Sequence, residues 1–389
     1  MNSLEQPKSK RTVKVFGIAS FLNDMGSDMV FSVWPIFVTS VMGANMVVLG
    51  FLDGLGEAIV SISQAVSGYI SDRIRKRKLF VWLGYSFGAI SRIGYSLSPT
   101  WHFLVPFRML DRSGKMRSVP RDAMISEIST GAERGKNFGL LRMMDNLGAV
   151  AGVLVAIFFL GILGYRNFLF LAAIPSVIAV ILVALLVKEM KSDEARIFKG
   201  IKFKYFDKNL KLYTLLTALF SLGFFSYSFL LIFAKNYGFQ ASLVPVLYLL
   251  FTVVAAAFSL PFGKLSDRLG RKKVLYLSFL FWIAVSLFFI IFQSYWGIIL
   301  AFIFYGLHLA AIDPVQRALV GELAPKELVG SAMGGFRMII GLCALPSSLI
   351  AGLLWDKIDP TAPFYFSLLL TISAVFLLIF VKEKVKYNN

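Results

Sequence analysis

Cysteine is almost missing: Cys343 stands alone, so no internal disulfide can form and the redox compartment is unreadable. Histidine is nearly as scarce, at two residues, and no Cys/His cluster with metal-ligand spacing exists. Charged residues make up only 16% of the 389, against about 25% in ordinary soluble domains. There is no P-loop, no H-E-x-x-H and no G-x-S-x-G, which removes an ATP-driven pump and any recognisable enzyme. Low-complexity tracts are absent, and no small-residue cleavage site follows the polar, basic start at Met1–Lys14. No cofactor is expected, and no catalytic residue can be named.

What is present is apolar. Hydrophobic residues reach 57%, with 38 Phe, and the mean hydropathy is +0.73. A soluble chain of this length could not bury so much apolar surface, so the composition points to a polytopic membrane protein. Twelve stretches are long enough to cross a bilayer, which takes about 20 helical residues. They fall near 13–38, 47–71, 79–98, 101–127, 136–163, 166–187, 209–235, 242–266, 274–294, 296–322, 329–355 and 362–381. Their apolar runs are continuous rather than alternating, which favours helices over a β-barrel.

The net charge of +18 first suggests a nucleic-acid partner. The positions of the cations argue against one. Twenty-seven of the 40 Lys and Arg lie on the side carrying both termini, and only Arg166, Lys235 and Lys357 lie in the opposite loops. By the positive-inside rule both termini are expected in the cytoplasm of a cell carrying this protein in its cytoplasmic membrane. The basic loops would anchor to the anionic inner leaflet, and a monomer is expected.

The chain also repeats itself. Gly68-Tyr69-Ile70-Ser71-Asp72-Arg73 closes span two, and Gly263-Lys264-Leu265-Ser266-Asp267-Arg268 closes span eight, 195 residues later. The same ungapped offset pairs Gly43 with Gly238, Trp101 with Trp296, Glu127 with Glu322 and Arg142-Met143 with Arg337-Met338. Two parallel six-helix halves follow, over 1–187 and 209–389, joined by a basic linker at 188–208. The twice-repeated loop, G-x-x-S-D-R with its trailing cations, resembles the signature loop of the major facilitator superfamily. The resemblance covers nearly the whole chain. It implies an all-α membrane protein of twelve transmembrane helices in two pseudo-symmetric bundles, a secondary transporter whose halves rock around a central site. It also assigns gating to Gly68, Asp72, Arg73, Gly263, Asp267 and Arg268, with Asp72 bracing span eleven near Gly330 in the outward-facing state. The first copy has Arg75 where the second has Gly270, so a differently shaped turn is expected. Topology alone accounts for Lys76 to Lys78.

Ionisable residues inside spans are costly and mark function by default. Span one carries Asn23, Asp24 and Asp28 in one stripe with Ser20 and Ser27; span two carries Asp53, Glu57 and Gln64. Span four carries Arg108, Asp111, Arg112 and Lys115 at i, i+3, i+4 and i+7, all facing one way. Arg92 lies in span three, and Arg142 and Asp145 in span five. Asp24 and Arg112 each lie about 17 Å from a span entrance, near mid-depth. The second half contributes His308, Arg337 and aromatic residues such as Phe224, Phe225, Tyr227 and Tyr248. A lone histidine or an aromatic stripe is more often packing than ligand.

Three readings of the charged network compete: a substrate and proton site, structural ion pairs, or a metal site built from Asp24, Asp28, Asp53 and Glu57. Structural pairing accounts for Arg121, Asp122, Glu127 and Arg134. Span four reads D-R-S-G-K-M-R-S-V-P-R-D-A, which resembles a prokaryotic subgroup of the superfamily whose pattern often has another glycine after the lysine. Gly114 and Pro120 there permit a bend. Span five has Gly148-Ala149-Val150-Ala151-Gly152-Val153, small residues suited to close helix contact, with valine where drug–proton antiporters of the superfamily carry a proline. The expectation is a transporter of a small polar or charged solute, anionic to suit Arg108, Arg112 and Lys115, driven by the proton gradient. Export of amphiphilic or cationic compounds is the main alternative and metal-ion or chelate transport a minor one. A sensing receptor would need an appended signalling domain, for which the tails leave no room.

Overall fold

The computed structural model describes residues 5–129, 131–189, 208–325 and 329–383. Most of the basic linker lies outside this set. Among the described residues the regular structure is entirely helical. In chain order the helices are α1 (Glu5–Ile36), α2 (Met46–Ile74), α3 (Arg77–Leu97), α4 (Leu104–Ser113), α5 (Ser118–Ile128), α6 (Gly131–Leu171) and α7 (Ala173–Leu186). Then come α8 (Lys208–Gly223), α9 (Tyr227–Asn236), α10 (Val244–Leu269), α11 (Arg271–Ile290), α12 (Tyr295–Leu323), α13 (Val329–Lys357) and α14 (Ala362–Phe380).

Two expected spans are interrupted. Span four is α4 and α5 joined by a 3-10 turn at Gly114–Arg117. Span seven is α8 and α9 joined at the non-helical Phe224–Ser226. Spans five and six run together in α6 and part at Gly164, whose φ of +70° a side chain would resist. Among the described residues eight helical segments are long and apolar enough to cross a membrane, and the 54-residue Glu133–Leu186 counts for two spans. The helices of spans one, three and four are not among them; Asp24, Arg92, Arg108 and Arg112, discussed below, lie on these.

The chain divides into two compact units. Unit 1 holds residues 1–44 and 59–198; unit 2 holds 45–58 and 199–389. The first half of α2 thus packs with the second repeat. In unit 1 the core joins Phe16 and Ala19 of α1, Val81 and Tyr85 of α3, Met124 of α5, Leu141 of α6 and Val183 of α7. The small residues of span five let α6 lie on the α1 backbone. A Cβ on Gly148 would sit 2.3 Å from the Phe21 carbonyl oxygen, and one on Gly152 2.1 Å from that of Met25.

In unit 2 the same close approach docks the first half of α2 on α13. A Cβ on Gly50 would fall 2.1 Å from the Ser348 carbonyl oxygen, and one on Gly54 2.6 Å from the Leu345 Cα. Asp356 of α13 caps α2 by accepting from the Met46 and Val47 amides, at 3.3 and 3.0 Å. Unit 2 also buries an aromatic cluster: Phe225, Phe229, Phe233, Phe289 and Phe364 pack edge-to-face or stacked, and the Trp282 indole donates to Ser367 at 2.7 Å.

Candidate functional site

The polar side chains of unit 1 gather where α1 crosses the interrupted span four. The interruption decides which cation meets which acid. A continuous helix would align Lys115 with Arg108 and Arg112, but the 3-10 turn winds tighter and changes the phase. Gly84 of α3 and Gly114 permit it, since a Cβ on either would lie within 2.7 Å of the other's carbonyl oxygen. The residue brought to Asp24 is therefore Arg117, which donates to Oδ1 at 3.3 Å and lies over the Tyr85 ring. Lys115 stands at 4.0 Å from the same oxygen, and Asn23 donates to it at 3.1 Å. Arg117 was missing from the expected site. Its place in the span-four sequence pattern, two residues after the lysine, is the signal that could have found it.

Around this pair lies a wider polar shell. Arg121, read from sequence as one of the structural ion-pairing residues, donates to Asp122 at 3.0 Å and to Ser20 at 2.6 Å, and Ser20 meets the Tyr85 hydroxyl at 3.2 Å. It reaches Asp145 at 3.7 Å, which Arg142 approaches from the exposed side at 3.6 Å. Arg92, 1% exposed, donates to Ser27 at 2.7 Å and to the Asn23 carbonyl at 3.2 Å, bracing the stripe of α1 from behind. Asp28, half-buried, lies one turn beyond Asp24 and within electrostatic reach of Lys115.

Arg108, Asp111 and Arg112 are all buried on α4. The Arg108 guanidinium sits 4.3 Å from the Trp34 ring centre, and that of Arg112 4.5 Å from the Phe31 ring centre. Both rings belong to α1. Stacking on an aromatic face leaves the edge of a guanidinium, where its N–H groups point, for hydrogen bonding. Two such cations one turn apart can hold a carboxylate or phosphate.

Asp24 and Asp28 belong to unit 1, Asp53 and Glu57 to unit 2. Asp53, 4% exposed, belongs to unit 2, where Ser226 and Ser228 both donate to its Oδ2, at 2.7 and 2.5 Å. Ser226 is also the N-cap of α9, accepting from the Ser228 amide. The four acids considered as metal ligands are thus split between units, and no group of three or more His, Cys, Asp or Glu comes together among the described residues. His308 is fully buried, with Nδ1 at 2.9 Å from the Ser278 carbonyl and rings of Phe220, Phe224 and Trp282 around it. Arg337, like its repeat partner Arg142, is exposed.

The repeated loops build the same cluster twice. Asp72 accepts from Arg77 at 2.8 Å, and Arg77 also pairs with Glu127; Arg271 likewise bridges Asp267 and Glu322, at 2.5 and 3.0 Å. Glu189 caps α3 through the Arg77 and Lys78 amides, as Glu383 caps α11 through those of Arg271 and Lys272. The expected partner of Asp72 near Gly330 falls where side chains lie outside the description, and here Asp72 is held within its own half. Gly68 packs against Val119, with a Cβ 3.0 Å away; Gly263 has open space; Arg73 and Arg268 are exposed. Arg75 and Gly270 both take positive φ, +56° and +99°. A side chain at 270 would crowd the Glu383 carboxylate at 3.1 Å.

The family model of the Major Facilitator Superfamily matches residues 16–251 and 213–389. The chain belongs to the major facilitator superfamily. A superfamily transporter of Methanocaldococcus jannaschii, itself uncharacterized, is 36% identical over 98% of this chain and 97% of its own length. The multidrug resistance protein MdtH of Proteus mirabilis is 24% identical over 81% of this chain and 79% of its own. Among solved structures, the nucleoside transporter NupG aligns with a TM-score of 0.77 at 16% identity, over 95% of this chain and 97% of that one. The fold is therefore the two-half helical fold of this superfamily, and the protein is a multi-pass membrane transporter rather than an enzyme.

Proposed function

We propose that this transporter moves a small solute carrying an anionic group, by alternating access and at the expense of the proton gradient. The observation that carries the reading is the pair Arg108 and Arg112, buried on α4 and stacked on Trp34 and Phe31. A buried guanidinium retains its charge, so two of them favour an anion over a neutral solute. The acids of α1, Asp24 and Asp28, supply carboxylates within the same cluster for the coupling proton. The distribution of its cations supports a cytoplasmic location for both ends of the chain.

The test is uptake into proteoliposomes of a panel of radiolabelled organic anions under an imposed pH gradient. At least one should accumulate with the gradient. Arg112→Ala should lower that uptake at least tenfold, and Asp24→Asn should uncouple it from pH. Uptake that ignores the gradient, together with normal transport by Asp24→Asn, would discard proton coupling; normal transport by Arg112→Ala would discard the anion site.

The second reading, efflux of amphiphilic compounds, is favoured by the similarity to MdtH and by the half-buried rings of Phe224 and Tyr227. It predicts that Arg112→Ala leaves transport intact.

A further inference from the structure

Tyr95 of α3 is not used by the anion reading. Its side chain is fully buried, yet its hydroxyl makes no hydrogen bond of ordinary geometry among the described residues. A buried polar group without a partner is costly, and in a native protein it calls for a reason. Packing supplies none. The ring lies against Trp34, 5.0 Å between centres and tilted by 54°, a contact that phenylalanine would make as well.

The surroundings of the hydroxyl point to the solute. Trp34 is also the ring on which the Arg108 guanidinium stacks, so Tyr95 flanks the guanidinium pair on its Arg108 side. The charges of Arg92, Arg108, Asp111 and Arg112 all reach its hydroxyl. On α4, Asp111, Arg108 and Arg112 span an arc of about 100°, one face of the helix. Phe31 is half-buried, and Asp111 and Arg112 keep 8% and 7% exposure, so the cluster is reached from that face. An anion held by the two guanidiniums therefore has the Tyr95 hydroxyl at its flank.

The group read there is neutral and polar. Three guanidiniums against one carboxylate disfavour an ammonium, and an apolar group would leave the phenol still without a partner. A hydroxyl both donates and accepts, as the phenol does.

We propose that Tyr95 selects solutes carrying a hydroxyl beside their anionic group, so that the transported class is small hydroxy acids rather than plain carboxylic acids. This rests on the anion reading and narrows it. A site that hydrogen-bonds a solute hydroxyl rejects the analogue lacking it far better than an apolar pocket rejects a change of size.

The experiment is calorimetry on the purified full-length chain with three matched pairs: glycolate and acetate, lactate and propionate, mandelate and phenylacetate. In at least one pair the wild type should bind the hydroxy acid at least tenfold more tightly. Tyr95→Phe, which removes one oxygen, should bring that ratio below threefold and melt no lower than wild type. Arg112→Ala should weaken both members of the pair at least tenfold. Equal binding within every pair overturns the proposal, as does a preference that survives Tyr95→Phe or the absence of any hydroxy-acid binding. A Tyr95→Phe chain that fails to fold overturns it too, because the hydroxyl would then hold the fold. If plain and hydroxy acids bind alike and both are lost in Arg112→Ala, the anion reading stands while this one falls. Binding that ignores Arg112→Ala discards the anion reading, and this proposal with it.

Discussion

Asp24 and Asp53 are the same residue type, both on transmembrane helices, yet they are held by different chemistry. Asp24 in unit 1 is faced by Arg117, Lys115 and Asn23. Asp53 in unit 2 is held by two serine hydroxyls at the start of α9. Charge balances Asp24, and removing a partner leaves an uncompensated buried charge. For Asp53 the bonds are directional and local, and they tie α2 to the N-terminus of another helix. Burial and residue type alone do not assign a role; the donors around a carboxylate do.

The largest expected effect tests the charged side of this contrast. Arg117→Ala should destabilise the protein by about 2–4 kcal/mol, below the full cost of a broken buried pair because Lys115 remains. The melting temperature in detergent reads it, and adding Asp24→Asn should recover part of the loss. No recovery in the double variant would show that Arg117 acts through packing on Tyr85 instead. Next, Gly50→Leu should cost about 1–3 kcal/mol by forcing α2 from α13. It should also speed reaction of an impermeant maleimide with a cysteine placed at Val47, in a chain without Cys343. An unchanged labelling rate would mean that this docking is not needed to cover α2. Asp53→Ala should cost about 1–3 kcal/mol, the penalty of leaving the Ser226 and Ser228 hydroxyls without their acceptor. Asp53→Asn, which keeps an acceptor, should cost less; equal losses would assign the stabilisation to charge and erase the distinction from Asp24. Smallest is Arg75→Gly. Relief of a left-handed arginine should raise stability by about 1 kcal/mol, whereas Gly270→Ala, which meets Glu383, should lower it.

Much of this arrangement could be read from sequence, because it follows from one-dimensional patterns. Twelve apolar runs, a constant offset of 195 and a twice-repeated loop imply the family and its two halves. The small residues at Gly148 and Gly152 were readable as a close helix contact for the same reason. What resisted reading was phase and partnership. Lys115 looked aligned with Arg108 because a helix was extended through Gly114, and the 3-10 turn gave Asp24 to Arg117 instead. Arg121 was legible only as a structural ion-pairing residue, because its partners Ser20 and Asp145 are distant in sequence. Asp53 was grouped with the acids of span one, since nothing along the chain says that half of α2 packs with the second repeat. The turn at Arg75 was expected to differ from that at Gly270, and it does: both residues take positive φ, +56° and +99°, but Arg75 and Lys76 separate α2 from α3 while Gly270 alone separates α10 from α11.

The most direct test of the central claim, that stacked guanidiniums recognise an anionic group, is a thermal-shift comparison of wild type with Arg112→Ala. Both are screened against organic acids, metallophores, cationic drugs and metal ions. The account predicts that at least one organic anion raises the wild-type melting temperature and that the shift vanishes in Arg112→Ala, while the variant melts cooperatively on its own. The same anion-induced shift in both proteins would contradict it.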